Sequence, residues 1–109
     1  GEVHNKSIKT RLLYNIARVL SRLSRFEESI EYCQEAIYWC IETEHLHLLA
    51  ELHYQIGYNY ELQENFFKAL SHVEKALLIF DIKQDKKYYT FLYQKKLEYL
   101  SKIEDKKKL

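Results

Sequence analysis

The sequence predicts an all-α protein of antiparallel helical hairpins stacked side by side, and three observations predict it. The 109 residues include no proline and two glycines, so the turn chemistry of a sheet protein is missing. Apolar residues recur at three- and four-residue steps in segments parted by short polar breaks. A stretch near the start returns forty positions later, a period typical of two-helix repeats. The chain is long enough for one domain, and 15% aromatic residues argue against disorder. No apolar run approaches the ~20 residues that a bilayer needs, and no signal-peptide pattern opens the chain. Gly1, in a chain without methionine, reads as a cleavage scar, and a piece of a longer protein is expected.

Five helices are expected. Asn5 and Ser7 are caps for the first, about 6–23. Its apolar stripe is Ile8, Leu12, Ile16, Val19, Leu20 and Leu23, widened by Leu13 and Ala17. Ser24 and Glu27 have the spacing of a capping box for the second helix, about 26–43. Ile30, Cys33, Ala36, Ile37 and Cys40 face inward there, and so short a break makes the pair antiparallel. The third helix spans about 46–63. Glu64-Asn65 turns and caps the fourth, about 66–82, with Ala69, Leu70, Val73, Ala76, Leu77 and Phe80 inward. After Lys83-Gln84-Asp85, the fifth helix (about 86–103) places Tyr89, Leu92, Tyr93, Leu97, Leu100 and Ile103 on one side. The tail from Glu104 is expected to fray.

Gly57 is the one interior glycine. In a helix it costs ~1 kcal/mol against alanine, and the usual compensation is a neighbouring helix that approaches its bare backbone. Cys33 and Cys40 lie two turns apart, about 10 Å by helical rise, too far for a mutual disulfide. Their spacing suits neither zinc nor redox chemistry, and buried reduced thiols are expected. No metal, cofactor or catalytic constellation is expected. His45, His47 and His53 share no helical face, nucleophile–base pairs are missing, and one interior glycine builds no phosphate loop. Charge is segregated, with net +5 over residues 1–26, −9 over 27–67 and +5 over 68–109. The whole-chain +1 gives no case for nucleic acid.

With an offset of forty, Leu12 falls on Leu52, Tyr14 on Tyr54, Ile16 on Ile56, Phe26 on Phe66 and Ala36 on Ala76. Ala17 falls on Gly57, Leu20 on Tyr60, Ser29 on Ala69 and Ile37 on Leu77. Small residues match small ones where two helices must cross. At these residues the chain resembles the tetratricopeptide repeat (TPR). Tyr14-Asn15-Ile16-Ala17 and Tyr54-Gln55-Ile56-Gly57 are similar to its inner-helix pattern, and Phe26 and Phe66 match its aromatic after the turn. Ser29, Ala69, Ala36 and Ala76 match the small residues of its outer helix. The closing proline is absent, Leu13 and His53 replace the usual tryptophan, and each unit exceeds the usual ~34 residues by about six. The resemblance implies a TPR-like right-handed solenoid of about two and a half repeats, the first over 7–43 and the second over 46–82, closed by a capping helix.

Arg25-Phe26-Glu27-Glu28-Ser29, Tyr54-Gln55-Ile56-Gly57 and the closing Phe80-Asp81-Ile82 resemble the C-terminal sensor region of Rgg/PlcR-type peptide-sensing bacterial regulators. That resemblance implies a cytoplasmic transcription regulator, touching DNA only through an upstream helix-turn-helix domain, and no enzyme. It also implies a short peptide or protein segment held in the concave groove by Arg11, Tyr14, Asn15, Arg18, Arg22, Glu51, Tyr54, Gln55, Tyr58, Glu61 and Leu62. Amides donate and accept together, tyrosines give area with few rotors, and arginine grips carboxylates. Asn15 is the expected backbone clamp and Arg18 the carboxylate anchor. Glu51 and Glu61 across from Arg11, Arg18 and Arg22 suggest a bipolar groove that orients its ligand. Two other readings stand beside this one. The first is an adaptor or dimerisation module without a peptide ligand, and the second a Rap-like module that grips a response regulator. A homodimer is expected, with Phe91 at its contact.

Overall fold

The computed structural model describes residues 1–80 and 84–108, apart from the side chain of Val3. Asp81, Ile82 and Lys83, which carry part of the expected closing motif and of the last break, lie outside the described residues. In order, the helices are α1 (Glu2–Arg22), α2 (Phe26–Thr43), α3 (Leu46–Leu62), α4 (Phe66–Ile79) and α5 (Lys86–Lys107). Each packs against the next in the chain, and α1 also touches α3. The result is the expected stack of helical hairpins, with α1–α2 and α3–α4 as successive units and α5 opening a third.

The first helix begins four residues earlier than its expected caps allow. Gly1 is its N-cap, with no side-chain hydrogen bond. Ser7 is not free to cap, because its hydroxyl lies 2.7 Å from His45 Nε2 at the far end of the hairpin. Glu2 in the first turn favours the positive end of the helix dipole and sits 3.4 Å from Lys6 Nζ. At the other end of the molecule, the expected fraying gives way to helix as far as Lys107. Lys106 Nζ donates to the Glu64 carbonyl at 2.8 Å and lies over the Phe66 ring.

The capping box at Ser24 does not form. Ser24, Glu44 and Glu64 all have left-handed backbone, with φ of 60°, 57° and 58°. The following amide reaches back to the helix just ended: Arg25 N to Leu20 O at 2.9 Å, His45 N to Cys40 O at 3.1 Å, and Asn65 N to Tyr60 O at 2.8 Å. This is a Schellman-type ending, and it uses Ser24 as the reversing residue rather than as a cap. Asn65 caps as expected, its side chain accepting from Lys68 N at 3.3 Å, and Asp85 caps α5 likewise, accepting from Tyr88 N at 3.0 Å.

The core has two layers in the same register. Leu13, Ala17, Cys33, Ala36, Cys40, Leu48, Leu52 and Ile56 form the first. Phe66, Ala69, Val73, Ala76, Phe80, Leu92, Tyr99 and Ile103 build the second. Cys33, Ala36 and Cys40 thus correspond to Val73, Ala76 and Phe80. Burial pushes the Cys33 thiol up to about 12 and the Cys40 thiol to about 11, so both stay protonated.

Two expected stripes are corrected. In α1, Leu13, Ala17 and Leu20 are buried, whereas Ile8, Leu12, Ile16, Val19 and Leu23 are 42–59% exposed. In α5, Leu92, Tyr99 and Ile103 are buried, whereas Tyr93, Leu97 and Leu100 are exposed. The first helix of each unit carries two apolar faces, one for its own partner helix and one for the unit before. Only α3 has both covered. Helix α1 uses the first face and α5 the second.

Candidate functional site

The first helices of the three units line one side of the molecule. Arg11, Tyr14, Asn15 and Arg18 of α1, Glu51, Tyr54 and Gln55 of α3, and Tyr88 and Phe91 of α5 enclose a cavity of about 430 Å³. They converge because the repeat places Arg11, Glu51 and Phe91 at one register position, and Tyr14 and Tyr54 at another. Seven of the eleven expected groove residues are therefore together. Arg22, Tyr58, Glu61 and Leu62 do not line this cavity. They sit one or more turns further along α1 and α3, although the Tyr58 ring lies 6.3 Å from that of Tyr54.

Tyr88 and Phe91 were missed. Phe91, expected at a dimer contact, is 38% exposed, and its ring meets Tyr54 edge-on at 5.1 Å and stacks with Tyr88 at 6.2 Å. The signal that finds it is the forty-residue register itself, carried one step further from Glu51. Tyr88 also stacks on His47, at 5.5 Å. Its hydroxyl is buried and has no hydrogen-bond partner among the described residues. Burial, with Glu51 next, raises the Tyr88 phenol well above its ordinary range. The same causes raise Tyr14 to about 12, and Tyr54 is raised by burial and by Glu61, so all three rings are neutral donors.

Of the charges in the bipolar reading, Arg11, Arg18 and Glu51 line the cavity, and Arg22 and Glu61 do not. Glu51 Oε1 lies 2.7 Å from His47 Nδ1. Glu61 is held by the Tyr99 hydroxyl and by Lys95 Nζ at 3.2 Å, between α3 and α5. Among the described residues, every ion pair is made by cations other than Arg11, Arg18 and Arg22. Arg18 lies over the Tyr14 ring at 5.6 Å. The groove therefore keeps Arg11 and Arg18 of α1 without a carboxylate partner among the described residues.

The two amides also part company. Asn15 is exposed at the cavity edge. Gln55 is 7% exposed, and its Nε2 donates to Ser21 Oγ at 2.8 Å. From there a buried network runs inward: Ser21 Oγ donates to Asn59 Oδ1 at 2.7 Å, and Asn59 Nδ2 donates to Ser29 Oγ at 2.9 Å. Ser29 Oγ in turn donates to the Ala17 carbonyl at 2.7 Å. Gln55 is thus a strut between the units as well as a wall of the groove.

Ala17, Ser29, Ala36, Gly57, Ala69 and Ala76 are all buried at helix crossings. Phe66 is buried beside Tyr99, whereas Phe26 is half-buried at the equivalent place, with Gln63 in its surroundings. The two phenylalanines occupy one structural position with different neighbours.

Residues 2–101 match the RNPP family C-terminal domain. The chain belongs to that family. The match spans both hairpins and most of α5, and it agrees with the Rgg/PlcR-type resemblance of the inner-helix motifs. Neither the curated proteins nor the solved structures gave a match to this RNPP C-terminal domain. No described helix is long and apolar enough to cross a membrane.

Proposed function

We propose that this RNPP C-terminal domain is the regulatory part of a cytoplasmic helix-turn-helix transcription regulator, and that it senses a short signalling peptide in the groove between α1, α3 and α5. The observation that carries this reading is the 430 Å³ cavity, walled by tyrosines and phenylalanine and edged by the uncommitted Arg11, Asn15 and Arg18. Such walls suit an extended peptide, since aromatic rings supply contact area with few rotors to freeze and the amide bonds a backbone at two points. Nothing in the groove provides a nucleophile with an activating base, so binding rather than turnover is its use.

The test is selection of random heptapeptides on the immobilised domain. Peptides that bind the parent and are lost on both Asn15→Ala and Tyr54→Ala domains support the groove. A selection in which nothing outcompetes the bare matrix sinks it.

A dimerisation role is the second reading, and the exposed apolar faces of α1 and α5 favour it. Ile8, Leu12, Ile16, Val19 and Leu23 form one such face, and Tyr93, Leu97 and Leu100 the other. Contiguous apolar faces on a soluble domain mark association surfaces. Sedimentation of the Leu12→Lys and Leu97→Lys domains decides: a parent dimer that either variant converts to monomer supports the role, and an unaltered mass removes it.

A further inference from the structure

The side chains around the groove specify more than a peptide. Its α1 edge carries the guanidinium groups of Arg11 and Arg18, neither of which meets a carboxylate among the described residues. Its opposite wall is the ring cluster of Tyr54, Tyr88 and Phe91. The Tyr88 hydroxyl is buried and has no hydrogen-bond partner among the described residues. Glu61 is held by Lys95 and Tyr99 outside this cavity, and Glu51, the one carboxylate among its lining residues, lies 2.7 Å from His47 Nδ1.

We infer that the groove selects a peptide with a carboxylate held by Arg11 and Arg18 and an adjacent apolar side chain laid on Tyr54, Tyr88 and Phe91. The inference rests on the peptide-sensing reading above and narrows it to an anionic, apolar ligand. Each guanidinium offers parallel donors that match a carboxylate and repels an ammonium group. The aromatic wall accepts a leucine, isoleucine or phenylalanine by area, and edge-on contact if the guest is itself aromatic. A basic peptide of the same length meets like charge at one end. The carboxylate has two sources, an acidic side chain or the free end of the peptide, and the chemistry at the arginines is the same for both.

The experiment uses bead-bound random heptapeptides made in two sets, one ending in a free carboxylate and one in an amide. Each set is selected on the parent domain and on the Arg11→Gln/Arg18→Gln domain. The expected winners on the parent carry a carboxylate within two positions of leucine, isoleucine or phenylalanine. The double variant binds them about ten- to a hundredfold more weakly, the usual loss for charge-assisted hydrogen bonds. Acidic winners in both sets assign a side chain, and winners in the free-carboxylate set alone assign the terminus. On a Phe91→Ala domain the acid preference persists and the apolar preference is lost. Winners without a carboxylate, or equal affinity on parent and double variant, overturn the inference while leaving peptide sensing intact. An empty selection overturns both. Both arginines are exposed, so an unchanged helical spectrum verifies that the double variant is folded.

Discussion

Gly57 lies so close under Ala69 that a Cβ at residue 57 would stand 3.2 Å from the Ala69 carbonyl oxygen and 3.4 Å from His72 Cβ. The nearer atom is backbone of α4 and yields only if the helix moves. A Gly57→Ala exchange gains ~1 kcal/mol of helix propensity, yet overpacking at such a crossing costs ~1–3 kcal/mol. The expected net result is a loss of about 1 kcal/mol for alanine and about 3 kcal/mol for leucine, read from urea midpoints. At the equivalent place in the first unit, Ala17 already carries a Cβ. Ala17→Gly is therefore expected to cost about 1 kcal/mol through propensity. A Gly57→Ala domain more stable than its parent would show that the crossing is loose.

Asn59 is the hub of the polar network between the two units. Its amide donates to Ser29 Oγ and to the Gln55 carbonyl at 3.1 Å, and its oxygen accepts from Ser21. Every proton is assigned: Ser21 gives its own to Asn59 and Ser29 gives its own to Ala17 O. Asn59→Ala leaves several fully buried groups without partners, and a loss of about 2–4 kcal/mol is expected. In a double-mutant cycle, Ser21→Ala on that background costs less than in the parent. Additive losses would mean that the serines and the asparagine act separately.

The parts of this fold that the sequence made legible are those set by repetition. Helices α2 and α3 begin and end within a residue of expectation, because strong apolar periodicity and polar breaks bracket them. The groove was legible as far as α3, since Tyr14 and Tyr54 repeat in type as well as position. Its third wall was not. Phe91 occupies a repeat position whose earlier occupants, Arg11 and Glu51, are polar, so residue type hid it, while Tyr88 follows Ile8 and Leu48, whose apolar type reads as packing rather than as a groove wall. The stripes of α1 and α5 misled for a different reason: two apolar faces on one helix read as a single broad stripe, and only the packing tells which face is covered. Glu61 illustrates the limit of helical-face reasoning. It faces the same general side as Glu51, but Tyr99 and Lys95 of α5 pull it into a structural contact.

All three interhelical turns with a described geometry place a non-glycine residue at positive φ. Left-handed backbone costs an L-residue roughly 1 kcal/mol that glycine avoids, against a smaller rise in unfolded-chain entropy. Glu64→Gly is therefore expected to stabilise the domain by up to about 0.5–1 kcal/mol, and Glu44→Gly similarly. Glu64→Val, β-branched at the same φ, goes the other way. Thermal midpoints of the three variants check the order, and a destabilising Glu64→Gly would mean that its side chain contributes more than the turn strain.

His72 makes the domain sensitive to mild acid. It stacks on His53 and on Tyr60, with its Nδ1 3.3 Å from His53 Nδ1, one ring donating and the other accepting. Burial, followed by the nearby Lys75 and His53, lowers the His72 imidazole to about 4, and burial followed by Lys75 lowers His53 as well. The unfolded chain takes up a proton near 6.5 that the folded one refuses, so stability is complete above 6.5 and is lost as pH falls toward 4. After discounting for partial exposure, the loss from His72 is about 1–2 kcal/mol. Carboxylates titrate through the lower part of that window too, so the informative quantity is the difference between parent and His72→Gln. The parent is expected to lose about 1–2 kcal/mol more than the variant between pH 7 and pH 4, measured by urea unfolding. Parallel curves would show that the histidine pair accepts its proton without strain, because solvent reaches it from the side away from Tyr60.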